Sequence, residues 1–127
     1  MNTLTLVESP EAPAAVGPYS HALAAGGLLF TSGQIPLDAQ SKTMPDGIRE
    51  QAEKALENLG HVLRAGGSDF SRVLKTTVYL ADMKDFAVVN EVYASFFSRP
   101  YPARSCFAVK DLPLGAKVEI EAVALFR

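Results

Sequence analysis

This sequence contains little of what several common classes of protein require. It has one cysteine and no tryptophan among 127 residues, which excludes an intrachain disulfide and a multi-cysteine zinc site. No stretch approaches the roughly 18 uninterrupted apolar residues of a membrane span. The first residues show no basic patch followed by an apolar run, so no secretory signal is visible. We therefore expect a cytoplasmic protein, and the single thiol fits a reducing compartment.

The chain also lacks a large excess of charge of either sign. The chain carries 12 basic and 14 acidic side chains, for a formal net charge of −2. Such a balance gives no broad attraction to phosphate backbones or to anionic lipid. We expect neither nucleic acid nor membrane among the partners.

The length and the apolar content suit one domain. A chain of 127 residues, 48% of them apolar, has the usual size of a single folding unit and can form an ordinary core. No internal repeat, low-complexity tract or interdomain linker is visible. We expect residues 1–127 to form a single domain.

Two segments show the spacing of amphipathic helices. From Asp46 to Ala65 apolar residues recur every three or four positions. Asp46 is expected to cap this helix, and Gly66-Gly67 is expected to end it in a left-handed conformation. A second helix is predicted from about Lys84 to Phe97.

Six short segments favour strands because they are rich in β-branched residues or alternate in polarity. They are Leu4–Val7, Ser20–Ala24, Leu28–Gln34, Val73–Leu80, Ala103–Val109 and Val118–Leu125. Gly26-Gly27 predicts a hairpin. The order of elements indicates an α+β fold, a six-stranded mixed sheet with both helices on one face.

The last predicted strand suggests how the other sheet face is used. One set of alternating residues suits the core: Val118, Ile120, Ala122 and Ala124. The other set begins charged and ends apolar: Glu119, Glu121, Val123 and Leu125. A face with such apolar area suits contact with another subunit. We expect a homo-oligomer, and this argument gives no copy number.

Polar groups that could do chemistry fall in four segments, at residues 17–20, 31–34, 102–106 and 119–121. None matches a metal or nucleotide motif. Arg104 can bind a carboxylate with two parallel hydrogen bonds or can close a structural ion pair with Glu119 or Glu121. Either glutamate, once partly desolvated, can accept a proton from water; otherwise both are solvated carboxylates.

The remaining candidates each have two interpretations. Cys106 is either a nucleophile or a small residue lining a strand, and the second is favoured because no supporting base follows from the spacing. His21 and His61 make a poor metal pair, so no metal is expected. The hydroxyl of Tyr19 is structural or lines a pocket. Asn90 faces solvent or reaches the end of a strand.

Together these segments resemble the RidA/YjgF family of reactive-intermediate deaminases. The likeness covers essentially the whole chain. Its matching strings are residues 14–20 (AAVGPYS), 31–36 (TSGQIP), 75–80 (KTTVYL), 85–86 (DF), Asn90, 102–106 (PARSC) and 117–122 (KVEIEA).

This resemblance implies a fold and an activity. The fold would be chorismate-mutase-like and assembled as a homotrimer, with the sheets in a central barrel and clefts between subunits. Active members hydrolyse enamines and imines, such as 2-aminoacrylate and 2-aminocrotonate, to 2-keto acids and ammonia without a cofactor. Two alternatives stay open: a non-catalytic trimer that binds ligands or protects proteins, and a deaminase dedicated to one pathway, acting on aminoacrylate or aminomuconate.

The resemblance also implies roles for individual residues. Arg104 would bind the substrate carboxylate, and Glu119 would orient the attacking water and carry its proton. Five further positions would line or support the cleft: Tyr19, Ser32, Gly33, Asn90 and Cys106.

Overall fold

Six strands and two helices make up the fold in a computed structural model that describes residues 3–127. In chain order they are β1 (Thr5–Val7), β2 (Ala22–Ala25), β3 (Leu28–Thr31), α1 (Ile48–Ala65), β4 (Val73–Leu80), α2 (Phe86–Phe96), β5 (Ala103–Ala108) and β6 (Val118–Leu125). Every predicted element is present. The predicted bounds of β4 and β6 are confirmed to the residue.

The strands form one mixed sheet in the order β1-β2-β3-β6-β4-β5. Only the β4–β5 pair is parallel among the strand pairs of the described chain. A parallel pair needs a crossover, and α2 lies in the connection from β4 to β5. The α+β class and the six-stranded mixed sheet are therefore confirmed.

Both helices cover the same face of this sheet. Helix α1 packs against β3 and β6, and α2 packs against α1. The hydroxyl of Tyr93 in α2 lies 2.7 Å from that of Thr76 in β4. Thr76 is aligned with Ala122 of β6, and aligned residues of neighbouring strands share a face. The inward side chains of β6 are at most 4% exposed, namely Val118, Ile120, Ala122 and Ala124.

Among residues 3–127, no helix covers the opposite face, which is rich in apolar side chains. One cross-strand row contains Leu6, Leu23, Phe30 and Val123. Leu6 is 59% exposed, Leu23 39% and Phe30 47%. A contiguous apolar row of this kind marks an interaction surface more often than a solvated one. The expectation that this face lacks cover within the chain is confirmed.

The ends of α1 differ from the prediction. Asp46 is not its cap: Gly47 occupies the N-cap in an extended conformation and makes no side-chain cap hydrogen bond. The Asp46 carbonyl instead accepts a hydrogen bond from Lys117 Nζ at 2.8 Å. At the other end only Gly67 is left-handed, with a φ of +72°, whereas Gly66 has a φ of −86°.

Turns and strand ends account for the other differences. Gly26 and Gly27 both have positive φ, which confirms the predicted hairpin. Strand β3 ends at Thr31, not at Gln34, because the chain leaves the ladder at Ser32 and rejoins β6 only through the Gln34–Ile120 bridge. Within residues 3–127, no helix combines the length and apolar character that crossing a bilayer requires.

Candidate functional site

Arg104 projects from β5 towards α2, and α2 holds its guanidinium in place. Its Nη1 donates a hydrogen bond to Asn90 Oδ1 at 2.7 Å. The guanidinium carbon lies 4.9 Å from the ring centre of Tyr93 and 5.6 Å from that of Phe86, both within cation–π range. These contacts fix the cation while leaving other N–H donors for a ligand.

Arg104 forms no ion pair with the described residues, since no carboxylate oxygen lies within 4.0 Å of its guanidinium nitrogens. The alternative that Arg104 pairs with Glu119 or Glu121 within the chain is therefore wrong, since both glutamates point to the other sheet face. A half-buried guanidinium without an anion is a ready acceptor for a carboxylate, which it can bind with two parallel hydrogen bonds.

A cavity of about 410 Å³ opens beside this guanidinium. Its lining residues come from α2 and from the segment that leads into β5: Asn90, Tyr93, Ala94, Tyr101, Pro102 and Arg104. Proline in that segment fixes the backbone just before Arg104. The walls are mostly apolar or aromatic, so the cation faces a partly desolvated space in which its attraction to an anion is strengthened.

Glu119 lies in a second cavity of about 580 Å³. Tyr19, Ser32 and Gly33 line this cavity, together with the loop around Leu114. Glu119 packs so closely on Gly33 that a Cβ there would overlap its carboxyl group, 2.8 Å from Cδ. Glycine at position 33 is therefore what lets the carboxylate lie against the backbone.

The environment of Glu119 makes it a stronger base than an ordinary glutamate. Burial, and then the negative charge of Glu121, raise the pKa of Glu119 above its usual value. The higher pKa increases the affinity of the carboxylate for a proton. Glu119 is therefore partly desolvated within a single chain, before any contact with another copy.

The other predicted cleft residues on this side differ in what their side chains do. Ser32 Oγ donates to the Ser20 carbonyl at 2.6 Å, so its hydroxyl holds the backbone. The side chain of Tyr19 is 49% exposed. Its hydroxyl lies 3.5 Å from the Val16 nitrogen, which is a weak contact, so it is available to the cavity.

Arg104 and Glu119 lie on opposite faces of the sheet. In the strand register, Arg104 aligns with Thr76 and Ala122 on the helix-covered face. Glu119 aligns with Tyr79 and, through it, with Phe107 on the uncovered face. One chain therefore brings Arg104 and Asn90 together. It forms a second group from Tyr19, Ser32, Gly33 and Glu119. The two groups do not meet within one chain.

Cys106 follows Arg104 by two residues and faces the same side. It is half-buried and packs against the core. Burial raises the pKa of its thiol, and the nearby Arg104 charge opposes that rise only in part. The thiol is thus kept protonated at neutral pH, which does not suit a nucleophile.

The histidines have structural contacts. His21 is buried, and both its ring nitrogens contact backbone atoms, Ser9 N at 3.0 Å and Pro13 O at 2.8 Å. His61 Nδ1 lies 3.0 Å from Arg64 Nη2 on α1. In the part of the chain that the structure describes, no three His, Cys, Asp or Glu side chains are grouped to hold a metal ion.

Sequence reasoning missed two features of the Glu119 cavity. The contacts of His21 with Ser9 and Pro13, which precede it by 12 and 8 residues, leave no periodic signal in the sequence. Leu114 lines the cavity mouth with its side chain 70% exposed and its φ at +56°. The neighbouring Pro113 and Gly115 were the available sign of a tight turn there.

Comparisons with known proteins agree over nearly the whole chain. The family model described as Endoribonuclease L-PSP matches residues 9–126. The RutC family protein y4sK of Sinorhizobium fredii is 55% identical over 92% of this chain and 94% of that protein. A mouse protein named 2-iminobutanoate/2-iminopropanoate deaminase is 48% identical over 94% of this chain and 90% of its own length.

Solved structures show the same likeness. TdcF of E. coli, crystallised with bound serine, superposes with a TM-score of 0.92 at 39% identity, covering 97% of this chain and 99% of that one. The E. coli YjgF gene product gives a TM-score of 0.91 at 37% identity, covering 97% and 99%.

Proposed function

Because this chain belongs to the L-PSP endoribonuclease family, which includes RidA/YjgF proteins, we propose that it is a deaminase of reactive imines. It hydrolyses enamines and imines such as 2-aminoacrylate, 2-aminocrotonate and their imine tautomers to 2-keto acids and ammonia. The observation that carries this proposal is the Arg104 guanidinium, which Asn90 holds beside a cavity and which has no carboxylate partner among residues 3–127. A small acid with a terminal carboxylate is the ligand that such a group fits.

The chemistry needs little beyond positioning. The enamine tautomerises to an imine, whose protonated C=N carbon is already electrophilic. Arg104 binds the substrate carboxylate and fixes the distance to the attacking water. Glu119 takes one proton from that water as its oxygen bonds to the imine carbon. Glu119 returns this proton to the nitrogen. As the C–N bond breaks and ammonia leaves, Glu119 takes the remaining hydroxyl proton, so that the C=O bond forms, and the proton then passes to the ammonia.

The raised pKa of Glu119 suits both halves of this cycle. A carboxylate with a higher pKa accepts the water proton more readily, and it is still acidic enough to return it. Ionised glutamate is required at the start, so activity should fall when the pH drops below the pKa of Glu119. No covalent nucleophile takes part, in keeping with the protonated thiol of Cys106.

We propose that the complete site requires two copies of the chain. Arg104 and Glu119 lie on opposite faces of one sheet, so Glu119 from one copy must approach Arg104 of another. The apolar row on the uncovered face supplies a surface for that contact. We propose a homotrimer of chorismate-mutase-like domains, with the cleft between subunits supported by Tyr19, Ser32, Gly33, Asn90 and Cys106.

The direct test generates 2-aminoacrylate with a pyridoxal-phosphate lyase and follows its decay with and without this protein. Wild-type protein should accelerate the decay, and Arg104→Ala should lose the acceleration while keeping its melting temperature and its oligomeric state. Arg49→Ala is the matched control, since Arg49 is an exposed arginine paired with Glu91 and lines neither cavity. Binding of 2-keto acids without any acceleration would instead identify a non-catalytic ligand-binding trimer.

The shared site has its own test. Arg104→Ala and Glu119→Gln chains, each inactive alone, are mixed and reassembled. If every site joins two copies, random mixing leaves about one quarter of the interfaces with both groups intact, and a corresponding activity. If Arg104 and Glu119 of the same chain worked together, the mixture would stay inactive.

Other interpretations are less favoured. The family description names an endoribonuclease, but a net charge of −2 offers no general attraction to RNA. A pathway-specific role, on aminoacrylate or aminomuconate, would appear as a strong preference among imines in the same assay. We place the protein in the cytoplasm, where its free Cys106 fits a reducing environment.

A further inference from the structure

The wall of the Glu119 cavity contains a segment without regular secondary structure. Residues 9–19, called here the wall segment, form neither helix nor strand. Pro13, Ala14, Val16 and Tyr19 of this segment line the cavity. For Tyr19 to keep a fixed position, contacts outside the wall segment must hold that segment against the sheet.

The imidazole of His21 does this from just beyond the segment. The ring is buried, with 4% of the residue exposed. The Ser9 N–H donates to Nδ1 at 3.0 Å, and Nε2 contacts the Pro13 carbonyl oxygen at 2.8 Å. A backbone N–H can only donate and a carbonyl can only accept, so the ring is neutral with its proton on Nε2.

The backbone of His21 extends this contact to the other wall of the cavity. Its carbonyl accepts a hydrogen bond from Ser32 N–H at 2.9 Å. The preceding carbonyl, that of Ser20, accepts from Ser32 Oγ at 2.6 Å. Ser32 in turn precedes Gly33, against which the Glu119 carboxyl group packs. His21 therefore connects both walls of the cavity.

We propose that His21 is a positioning residue of the Glu119 cavity: its neutral ring ties the wall segment, through Ser9 and Pro13, to the backbone that carries Ser32 and Gly33. The inference rests on the proposed function for its catalytic consequence. Other hydrogen bonds of the segment, such as Ala12 N–H to the Ser9 carbonyl at 3.3 Å, join residues within the segment itself. Outside itself the segment also contacts the core through Ala12 and helix α1 through the Glu11–His61 pair, but neither contact reaches the backbone that carries Ser32. Loss of the ring would remove the hydrogen bonds that join the wall segment to that backbone.

Nuclear magnetic resonance of the wild-type protein tests the geometry without reference to activity. The nitrogen shifts of the His21 ring should show a neutral imidazole protonated on Nε2. The Ser9 amide should exchange slowly with solvent, and its exchange should accelerate in His21→Leu. A ring protonated on Nδ1, or a Ser9 amide that exchanges equally fast in both proteins, would overturn the proposal.

Kinetics of imine hydrolysis test the consequence. His21→Leu keeps the apolar bulk but removes both ring contacts, and displacement of the wall by about 1 Å should lower kcat/KM by roughly ten- to a hundredfold. In His21→Gln the amide oxygen can accept from Ser9 and the NH₂ can donate to Pro13, so kcat/KM should return to within about threefold of wild type.

A matched control separates positioning from stability. Asp69→Ala removes the hydrogen bond from Ser71 N–H to the Asp69 side chain, in a turn that lines neither cavity. It should lower the melting temperature without lowering kcat/KM. Equal kinetic losses in His21→Leu and Asp69→Ala, or no rescue by His21→Gln, would overturn the positioning role. Failure of the proposed function would appear differently, as inactive wild-type protein with the Nε2 tautomer intact.

Discussion

A single methyl group added at Gly33 would test the close packing of the Glu119 carboxyl group. Gly33 has an ordinary backbone conformation, since its φ does not fall in the left-handed range. Alanine can therefore adopt the same backbone conformation without strain. Its more restricted unfolded chain should contribute about 0.4–1 kcal/mol of stability, which offsets part of the cost of moving the Glu119 side chain. The added Cβ would nevertheless meet the Glu119 carboxyl group.

The size of the displacement follows from the distances. The new Cβ would lie 2.8 Å from Glu119 Cδ and 3.0 Å from Cγ, whereas ordinary van der Waals contact begins at 3.4 Å. The carboxyl carbon must withdraw by about 0.6 Å, and its nearer oxygen by roughly 1 Å or more. A misplacement of about 1 Å can cost on the order of a hundredfold in rate, or about 2.7 kcal/mol of transition-state stabilisation.

We therefore expect Gly33→Ala to reduce kcat for imine hydrolysis by roughly a hundredfold, with KM changed far less because Arg104 is untouched. The assay is the coupled decay of 2-aminoacrylate, with a thermal melt of each protein. Gly27→Ala is the opposite control: its φ of +79° strains alanine, but open space surrounds its Cβ. It should melt lower and keep its kcat. Wild-type kcat in Gly33→Ala would refute the claim that the position of the Glu119 carboxylate matters.

Two further predictions concern titratable groups. Because the folded state raises the pKa of Glu119, it binds a proton there more tightly than the unfolded state, and ionised Glu119 lowers stability at neutral pH. Glu119→Gln should therefore melt higher at pH 7, and the gain should disappear as the pH falls towards 4; a constant gain would contradict this. Cys106→Ser should keep kcat within about threefold, since a protonated thiol is a poor nucleophile; complete loss would restore the nucleophilic alternative.

Features with local or periodic causes could be read from the sequence. β6 has the predicted bounds because buried residues alternate with more exposed ones without interruption from Val118 to Leu125. The Gly26-Gly27 hairpin follows from the positive φ that both positions need. Even the uncovered sheet face could be derived, since two amphipathic helices with one apolar stripe each cover a single face.

Features set by contacts distant in the chain could not. Aspartate is a common N-cap residue, but in α1 Gly47 and not Asp46 occupies the N-cap. No local sequence pattern distinguishes the two positions. The separation of Arg104 from Glu119 depends on which strands are aligned, and one residue of slip would reverse the face. The role of His21 depends on a loop with no period at all.

Putting the guanidinium and the carboxylate on opposite sides of one sheet also limits how copies can associate. In the proposed assembly the surface around Glu119 of one copy meets the surface around Arg104 of the next. These surfaces lie on opposite faces of the sheet, so the proposed contact is heterologous, and each added copy presents another unpaired surface. Such head-to-tail contacts either close into a ring or continue as a filament. A closed ring would pair every Arg104 with a Glu119 of a neighbouring copy, and closure would also keep the protein from forming fibres.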